Sequence, residues 1–294
     1  MASLEPSIFD VLGGRWTPGG NEDYSAFPRG NTPHSHTRAR QGKDDVIDAE
    51  AAARKAFTGE ATSQPKNTFG VIEAIRILRL TRESAVKSRT VALTQLGDVL
   101  VTAPAGLRES ITAATSRGKA TQCARLRPDM ARINEPLQAA KFALRSLARR
   151  IAAFDEEIGG LDAQLKPLVA TTAPSLVALV GIGTGHASQL LITAGQNIDR
   201  LNSDAAFARL CGVAPIPVSS GKTQRMRLHH GGDRQANRAL YMIAICRLKY
   251  DPRTIAYLAR RTAEGLSKKD AIRCLKRFIA REVYNALKHD LNTA

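Results

Sequence analysis

Residues 69–100 read FGVIEAIRILRLTRESAVKSRTVALTQLGDVL, and this stretch decides the fold. Its apolar residues recur at spacings of three and four, which is typical of an amphipathic helix. A second stretch of this kind covers residues 136–165, after a polar connector that contains Arg117, Gly118 and Lys119. The pattern predicts either a long antiparallel helical hairpin or coiled coil, or the core of a plain helical bundle.

The regions on either side of these helices differ in composition. Residues 1–30 belong to a stretch rich in Gly, Pro, Asn, Ser and His, and we predict a disordered leader there. Residues 44–57, DDVIDAEAAARKAF, begin with acids and end with basic residues, which predicts a helix. Residues 171–294 are predicted to form a compact domain of short helices broken by Gly and Pro. The predicted fold class is therefore mainly α.

The charge of the chain favours a polyanionic partner. The 294 residues include 43 Lys+Arg against 27 Asp+Glu, which gives a formal net charge of +16. Residues 219–289 alone hold 17 Lys and Arg against 5 Asp and Glu, so the positive charge is concentrated in one region. Such an imbalance is typical of a nucleic-acid-binding face.

Several other classes of protein are disfavoured. Cys123, Cys211, Cys246 and Cys274 lie far apart without a C-x-x-C pair, which argues against a zinc site and against a secreted disulfide framework. The N-terminus lacks the basic and apolar segments of a signal peptide. The long uncharged stretch at residues 167–198 contains Gly, Pro and His, which argues against a membrane span. We expect a cytoplasmic, nucleoid-associated protein with no membrane partner.

Asp45 and Asp48 are candidate metal ligands. Residues three apart on a helix project from the same face, and Mg²⁺ prefers hard oxygen ligands such as carboxylates. In two-metal sites these ions activate the attacking oxygen of a phosphodiester cleavage and stabilise the leaving oxygen. Acids in the first turn of a helix are also ordinary caps and dipole partners, and on spacing alone this second interpretation is favoured.

Gly181 and Gly183 lie between two apolar helical segments in LVALVGIGTGHASQLL, residues 176–191. A Gly-x-Gly turn before a helix N-terminus lets backbone N–H groups approach a phosphate without a Cβ in the way. The pattern predicts either a helix-hairpin-helix element that contacts the nucleic-acid backbone, or a tight turn between helices without a ligand.

Ser219 and Ser220 precede a basic cluster and are predicted to form a turn with the glycine that follows. The cations of the cluster are Lys222, Arg225, Arg227, Arg234 and Arg238. A serine nucleophile needs a base, or cationic neighbours that stabilise the charge developing on the attacked phosphate, and the cluster supplies the cations. His229 and His230 are either a base for the serine or exposed loop residues.

Taken together, these segments resemble the insertion-sequence transposases of the IS one-ten type, which are DEDD recombinases guided by a bridge RNA. The resemblance covers residues 31–289, and the order and combination of its segments are more specific than any single motif. The segments are NTPHSHTRARQGKDDVIDAEAAARKAFTGEAT, VIEAIRILRLTRESAVKSRTVALTQL, LVGIGTGHASQLLITAGQ, LCGVAPIPVSSGKTQ and DRQANRALYMIA.

The resemblance implies three parts of the chain. It implies an N-terminal RNase-H-like (RuvC-like) domain with four metal-binding acids, a helical coiled-coil linker at residues 66–170, and a C-terminal transposase domain at residues 171–294. The K-x-D-x-x-D-A signature of the family begins here at Lys43. Asp45 and Asp48 would then be the last two acids of the quartet and would bind Mg²⁺.

The resemblance also implies the nucleophile and the partners. The serine before the glycine of the family falls on Ser220, with Ser219 as the alternative. Such a serine would attack a DNA phosphodiester and become covalently linked to the strand end, with metal assistance. The partners implied are DNA, a guide RNA and a second copy of the chain joined through the long helices.

The sequence departs from the family upstream of the signature at Lys43. The first Asp and the Glu of the family lie well upstream, whereas only 42 residues precede the signature here, and Asp10, Glu22 and Asp23 lack the apolar context of a strand. Residues 31–65 are therefore predicted to be a poorly ordered remnant of the RNase-H-like domain.

This departure leaves two main hypotheses about function. The first is an N-terminally truncated transposase of impaired activity, and the second is a catalytically dead nucleic-acid-binding remnant. A host structural DNA-binding protein would also explain the charge, but it gives no reason for Asp45, Asp48 and Ser220 to occur in this order.

Overall fold

The described part of the protein is mainly helical, which confirms the predicted fold class. The chain divides into two units, Met1–Pro65 and Lys66–Ala294. The first unit contributes one described helix, α1 (Asp45–Phe57), where the run from acids to basic residues predicts one. The computed structural model describes residues 45–59, 64–67, 69–220, 223–229 and 231–292, with side chains for all of these except residues 45–48, 218–220, 223–225 and 228.

The second unit begins with two long helices and two short ones between them. These are α2 (Val71–Thr102), α3 (Ala105–Ser110), α4 (Ser116–Ala124) and α5 (Pro136–Thr172), with a 3-10 turn at Met130–Arg132. The unit continues through α6 (Pro174–Ala178), α7 (Thr184–Ala194), a 3-10 turn at Ile198–Arg200, α8 (Asp204–Leu210), β1 (Pro215–Ser220), β2 (Thr223–Leu228), α9 (Arg234–Tyr250), α10 (Pro252–Ala263) and α11 (Lys268–Asn292).

Helices α2 and α5 form an antiparallel hairpin. Arg82 Nε lies 2.5 Å from Asp162 Oδ1, and Arg89 Nε lies 2.5 Å from Asp155 Oδ1. Because the residue number of the acid falls as that of the arginine rises, the two helices run in opposite directions. The antiparallel hairpin is thus one of the two arrangements that the sequence predicts, and its supercoiling stays a prediction.

Helix α5 extends beyond residue 165, where the apolar pattern predicts its end. Pro167 lies inside the helix, although a proline removes one N–H donor from the helical ladder. Leu165 and Val169, on either side of the proline, are fully buried. Their packing against other parts of the unit stabilises the helix through the proline and onward to Thr172.

A far core lies toward the closed end of the hairpin. It joins Leu96 of α2 to Leu144 and Ile151 of α5, together with Leu107 of α3 and Cys123 of α4. These side chains come from residues of the hairpin and its connecting helices alone. The far core therefore stabilises the hairpin independently of the C-terminal helices.

A near core joins the base of the hairpin to the C-terminal helices. Ile75 of α2 and Val169 of α5 belong to the same buried cluster as Leu190 of α7, Leu240 of α9 and Ile279 of α11. The base of the hairpin therefore packs within the core that also holds α7, α9 and α11.

The C-terminal region differs from the predicted run of short helices in two ways. Helix α11 has 25 residues, because a mostly apolar face of it is buried along its length, and the apolar residues of that face belong mainly to the near core. In addition, β1 and β2 form an antiparallel hairpin that pairs Pro215 with Leu228 at one end and Ser220 with Thr223 at the other. Ser219 and Ser220 therefore end a strand, whereas the sequence predicts that they form a turn with the glycine that follows; residues 221–222, which connect the strands, lie outside the described residues.

Prolines lie within β1, which explains why the strand was not predicted. Pro215 and Pro217 are two residues apart, and alternate residues of an antiparallel strand direct their N–H groups to the same side. Both prolines can therefore direct their missing N–H to the outer edge of the two-stranded sheet, where no partner strand needs it.

Several predictions about the N-terminal region fall on residues that are not described. The predicted leader, residues 1–30, and Lys43 lie outside the described residues. Of residues 31–65, the structure describes α1 and short flanking segments. The assignment of these residues to a remnant of an RNase-H-like domain stays a prediction. Within the described ranges, no helix combines the length and the apolarity needed to cross a membrane.

Candidate nucleic-acid interface

Asp233 fixes the N-terminus of α9. Its Oδ1 accepts hydrogen bonds from the backbone N–H groups of Gln235 and Ala236, at 2.8 and 3.1 Å. Its Oδ2 accepts a hydrogen bond of 2.7 Å from the Oγ1 of Thr193, a buried residue near the end of α7. The carboxylate therefore caps α9 and ties it to α7, which determines where α9 presents its first basic side chains.

The root of the β-hairpin is closed by a contact between two glycines. A Cβ placed on Gly232 would lie 2.2 Å from the backbone N of Gly212, and Gly212 itself has a φ of 66°. The backbone N–H of Asp233 donates to Leu210 O at 2.7 Å, and Asn237 Nδ2 donates to Gly212 O at 2.8 Å. The β-hairpin is thus connected to the flanking helices at a junction where both positions require glycine.

A basic cleft of about 480 Å³ lies beside this root. Its lining residues are Gly212, His229, Gly232, Arg234, Asn237, Arg238, Tyr241 and Lys276. Arg234 and Arg238 are exposed and one turn apart on α9, and neither forms an ion pair with an acid of the described residues. The lining combines permanent cations with no described carboxylate, so its electrostatic potential favours an anionic ligand.

Lys276 forms the buried wall of this cleft. The residue is 7% exposed, and its Nζ donates a hydrogen bond of 2.8 Å to Asn237 Oδ1. Burial lowers the pKa of Lys276, and repulsion by the nearby Arg273 guanidinium lowers this pKa further. The sequence analysis did not single out Lys276. The available signal is its spacing from Ile272 and Ile279, which places a lysine on the buried face of α11.

The two candidate nucleophiles occupy opposite faces of the β-hairpin. Ser220 pairs with Thr223, and Ser219 pairs with Gln224. Successive residues of a strand belong to opposite faces of a sheet, and directly paired residues share a face. The register therefore places Ser220 on the same face as the Arg227 position and Ser219 on the other.

The predicted cations fall into two groups. Arg227 is exposed on β2, while Arg234 and Arg238 line the basic cleft. Arg225 lies on β2, but its side chain is outside the described residues, as is the whole of Lys222. The single cluster predicted from sequence is thus divided between the β-hairpin and the start of α9.

Neither histidine is seen in the position of a base for Ser220. His229 is half-buried at the root of the hairpin, where its Nδ1 lies 3.1 Å from Arg209 O. Ser220 is at the opposite end of β1, roughly 17 Å along the strand at about 3.3 Å per residue. His229 is therefore not within reach of Ser220 of the same chain, and His230 lies outside the described residues.

Gly181 and Gly183 lie in the turn between α6 and α7. Gly181 has a φ of 82°, and a Cβ there would lie 3.3 Å from Ile243 O. Arg247 Nε donates to Val180 O at 2.8 Å, which holds this side of the turn against α9. Gly183 immediately precedes α7, and nothing lies within 4 Å of its Cβ position. The turn is therefore fixed against α9 on one side, and the space at the Gly183 Cβ position, directly before α7, is unobstructed.

A second cleft, of about 640 Å³, lies between this turn and α9 and includes Gly183, His186, Lys249 and Tyr250 in its lining. Burial lowers the pKa of His186, and a hydrogen bond with the Gly181 backbone opposes that shift. Lys249 Nζ lies 5.1 Å from the ring centre of Tyr250. The open side of the glycine turn thus has a lysine beside it.

Asp45 and Asp48 begin α1, three residues apart. Their side chains are outside the described residues. Elsewhere in the described ranges, no group of three or more His, Cys, Asp or Glu side chains is placed to hold a metal ion. Since Mg²⁺ demands near-octahedral coordination by oxygen, the described residues do not make up a complete site for this ion.

The C-terminal region matches a known family. Residues 174–259 match the model described as Transposase IS116/IS110/IS902 family, from the start of α6 into α10. This range contains the glycine turn, the β-hairpin and the whole of α9. It thus includes most of the candidate interface, although Lys276 of α11 lies beyond it.

Two curated proteins align with about half of the chain. The chain is 31% identical over 135 residues to the insertion element IS110 uncharacterized 43.6 kDa protein of Streptomyces coelicolor, an alignment of 45% of this chain and 33% of that protein. It is 27% identical over 143 residues to the insertion element IS900 uncharacterized 42 kDa protein of Mycobacterium paratuberculosis, which covers 48% of this chain and 36% of that protein.

The C-terminal region is thus similar, over residues 174–259, to the transposase domain of the IS116/IS110/IS902 family. The chain spans about a third of the length of the curated relatives it matches.

Proposed function

We propose that this chain is a DNA transposase of an insertion sequence, which cuts and rejoins DNA strands through a serine nucleophile. The family match of residues 174–259 supports this function. The observation that carries the choice of nucleophile is the register of the β-hairpin, in which Ser220 ends β1 on the same face as Arg227. Ser219 occupies the opposite face and is the less favoured candidate.

In this proposal the Ser220 Oγ attacks the phosphorus of a DNA phosphodiester. An Oγ–P bond forms while one P–O bond to a sugar breaks, the hydroxyl proton passes to a base or to solvent, and the released sugar oxygen takes up a proton. The strand end is then linked to the serine until the hydroxyl of another strand displaces it. Negative charge develops on the phosphate oxygens, and a cation such as Arg227 on the same face would stabilise it.

Two regions of the domain are proposed to bind the nucleic-acid backbone. At the glycine turn, Gly183 leaves the N-terminus of α7 open, and a helix N-terminus attracts phosphate oxygens through its free N–H groups. At the basic cleft, Arg234 and Arg238 project from one face of α9 without acidic partners among the described residues. The glycine turn would act as a helix-hairpin-helix element, although α6 has only five residues.

The proposal extends to a metal ion, an RNA and a second copy of the chain. Asp45 and Asp48 would supply two ligands for Mg²⁺, which assists strand cleavage when bound, and the remaining ligands would come from residues outside those described. Choice of target would rest with a guide RNA. Two copies would join through the α2–α5 hairpin, since the solvent side of α2 exposes Ile77 and Leu80.

Covalent trapping tests the proposed function. The chain is incubated with Mg²⁺, labelled insertion-sequence ends and RNA from the flank of the element, and the products are separated on a denaturing gel. We expect a labelled adduct with the unaltered chain and with Ser219→Ala, and none with Ser220→Ala. An adduct that persists in Ser220→Ala would overturn the assignment of the nucleophile. Absence of any adduct, with DNA binding retained, would identify a nucleic-acid-binding remnant.

A further inference from the structure

The basic cleft contains a buried cation without a counter-charge in the described structure. Lys276 is 7% exposed, and the partner of its Nζ is the neutral amide oxygen of Asn237 at 2.8 Å. An ammonium group has three donors, so this hydrogen bond uses one of them. Burial of a charge costs free energy unless an opposite charge compensates it, and the residues that line the cleft supply none.

The amide that contacts Lys276 is itself held in one orientation. Asn237 Nδ2 donates to Gly212 O at 2.8 Å, so its oxygen remains directed toward Lys276. This chain of two hydrogen bonds links α11 through α9 to the root of the β-hairpin. Lys276 is therefore fixed at the cleft wall, and its remaining N–H groups are available to an anion in the cleft.

The exposed side of the cleft combines cations with an aromatic ring. Arg234, Arg238 and Tyr241 are spaced four and three residues apart along α9, which places them on one face of the helix. Tyr241 is 44% exposed and belongs to the cleft lining. An aromatic ring beside a cationic groove is typical of sites for single-stranded nucleic acid, where the backbone meets the cations and a base stacks on the ring.

We propose that this cleft binds one unpaired nucleotide of a single strand, with its phosphodiester held by Lys276, Arg234 and Arg238 and its base stacked on Tyr241. The inference rests on the proposed function and specifies the form of nucleic acid that the domain takes at this place. A base inside a duplex is stacked between its neighbours and presents no free face to a tyrosine. The cleft volume of about 480 Å³ lies within the usual range for ligand sites.

Binding of single-stranded and duplex oligonucleotides to the full chain tests this inference. Fluorescence anisotropy is measured with labelled DNA of about 10 nucleotides, as a single strand and as a duplex, over a series of salt concentrations. The cleft variants are Lys276→Met, Tyr241→Leu and Tyr241→Phe. Lys87→Met is the matched control, because it removes one exposed lysine on α2 and changes the net charge equally.

The expected results separate the phosphate contact from the stacking contact. Tyr241→Leu weakens single-strand binding about tenfold and leaves duplex binding nearly unchanged, whereas Tyr241→Phe keeps the ring and the affinity. Lys276→Met reduces the slope of log affinity against log salt by about 0.7, the value for one phosphate contact on a single strand. A 2-aminopurine base in the strand is quenched on binding by the unaltered chain and not by Tyr241→Leu.

The outcomes distinguish this inference from the proposed function. Failure of the unaltered chain to bind any nucleic acid would overturn both. If Tyr241→Leu and Lys276→Met change the binding affinity no more than Lys87→Met does, the inference alone is overturned. Equal losses of affinity for the duplex and for the single strand would also overturn it. Because Tyr241 is half-exposed, its variants decide the question even if Lys276→Met fails to fold.

Discussion

Thr193 Oγ1 donates to Asp233 Oδ2 across 2.7 Å, and this hydrogen bond joins the end of α7 to the N-cap of α9. Helix α7 begins at the glycine turn, and α9 carries Arg234 in the basic cleft. This carboxylate therefore helps to fix the relative placement of the two proposed backbone-binding regions, together with the hydrogen bond from Arg247 to Val180 O and the shared near core. Its neighbour Gln189, whose Nε2 lies 3.4 Å from the same oxygen, adds a weaker contact.

Substitution of Asp233 should destabilise the domain. We expect Asp233→Ala to lower the free energy of unfolding by about 1–3 kcal/mol, because it removes a helix N-cap and the charge-assisted hydrogen bond from Thr193, whose hydroxyl keeps only Gln189 O, at 2.9 Å, as an acceptor. Asp233→Asn keeps an oxygen for the cap and should cost less than Asp233→Ala. Urea unfolding followed by circular dichroism measures both. Equal stability of Asp233→Ala and the unaltered chain would contradict the role of this carboxylate.

The two glycines of the turn should respond differently to alanine. Gly181→Ala places a side chain at a φ of 82° and 3.3 Å from Ile243 O, so we expect a loss of about 1–3 kcal/mol in unfolding free energy. Gly183 has a φ of −91° and open space at its Cβ position, so Gly183→Ala should leave stability nearly unchanged.

The same pair tests the proposed backbone contact at the turn. If a phosphate approaches the N-terminus of α7, the methyl group of Gly183→Ala obstructs it and DNA affinity falls several-fold at low salt. Fluorescence anisotropy with a labelled duplex measures this affinity. Unchanged affinity in Gly183→Ala would mean that the turn only joins two helices.

The far core should unfold locally without the near core. Leu144 is fully buried among far-core residues, and Leu144→Ala is expected to cost about 2–5 kcal/mol of local stability through the cavity it leaves. Hydrogen exchange should then accelerate in α3, α4 and the adjoining turns of α2 and α5, but not in α9. Leu240→Ala, in the near core, is the matched control and should accelerate exchange in α9 and α11. Uniform acceleration by both variants would show one cooperative unit.

His186 should make stability depend on pH below neutrality. Burial lowers its pKa below the ordinary value of 6.5, so the unfolded chain binds a proton more readily than the folded one. Its contribution to stability is therefore present above pH 6.5 and is lost as the pH falls from there toward the pKa of the folded state. We expect the urea midpoint to fall between about pH 7.5 and pH 5.5, and to fall less in His186→Gln. An identical decline in both chains would exclude His186 as the source.

The helices of this protein were predictable from local pattern. The period of residues 69–100 anticipated α2 to within two residues at each end, and the acids and bases of residues 44–57 anticipated α1. These signals are local, because a helix forms its hydrogen bonds within itself and its buried face repeats every three to four residues. The apolar pattern did not predict where α5 ends, because burial of Val169 in the near core outweighs the helix-breaking effect of Pro167.

The candidate site was predictable in residue type but not in arrangement. Sequence motifs identified Gly181, Gly183, Arg234 and Arg238 as candidates, and the structure places the last two in one cleft. The strand register of Ser220 and the burial of Lys276 were not predictable in this way. Among the many basic residues of residues 219–289, the burial of Lys276 is signalled only by its spacing from Ile272 and Ile279.

The sequence by itself determined the helical class, the positions of most helices and the basic character of the C-terminal region, because periodicity and charge are properties of neighbouring residues. The tertiary structure alone decided that Lys276 contacts Asn237, that Asp233 ties α9 to α7, and that the two serines lie on opposite faces of a strand. Each of these relations depends on packing or pairing between separate elements, and the free energy that selects such contacts comes from burial and hydrogen bonding across the whole domain.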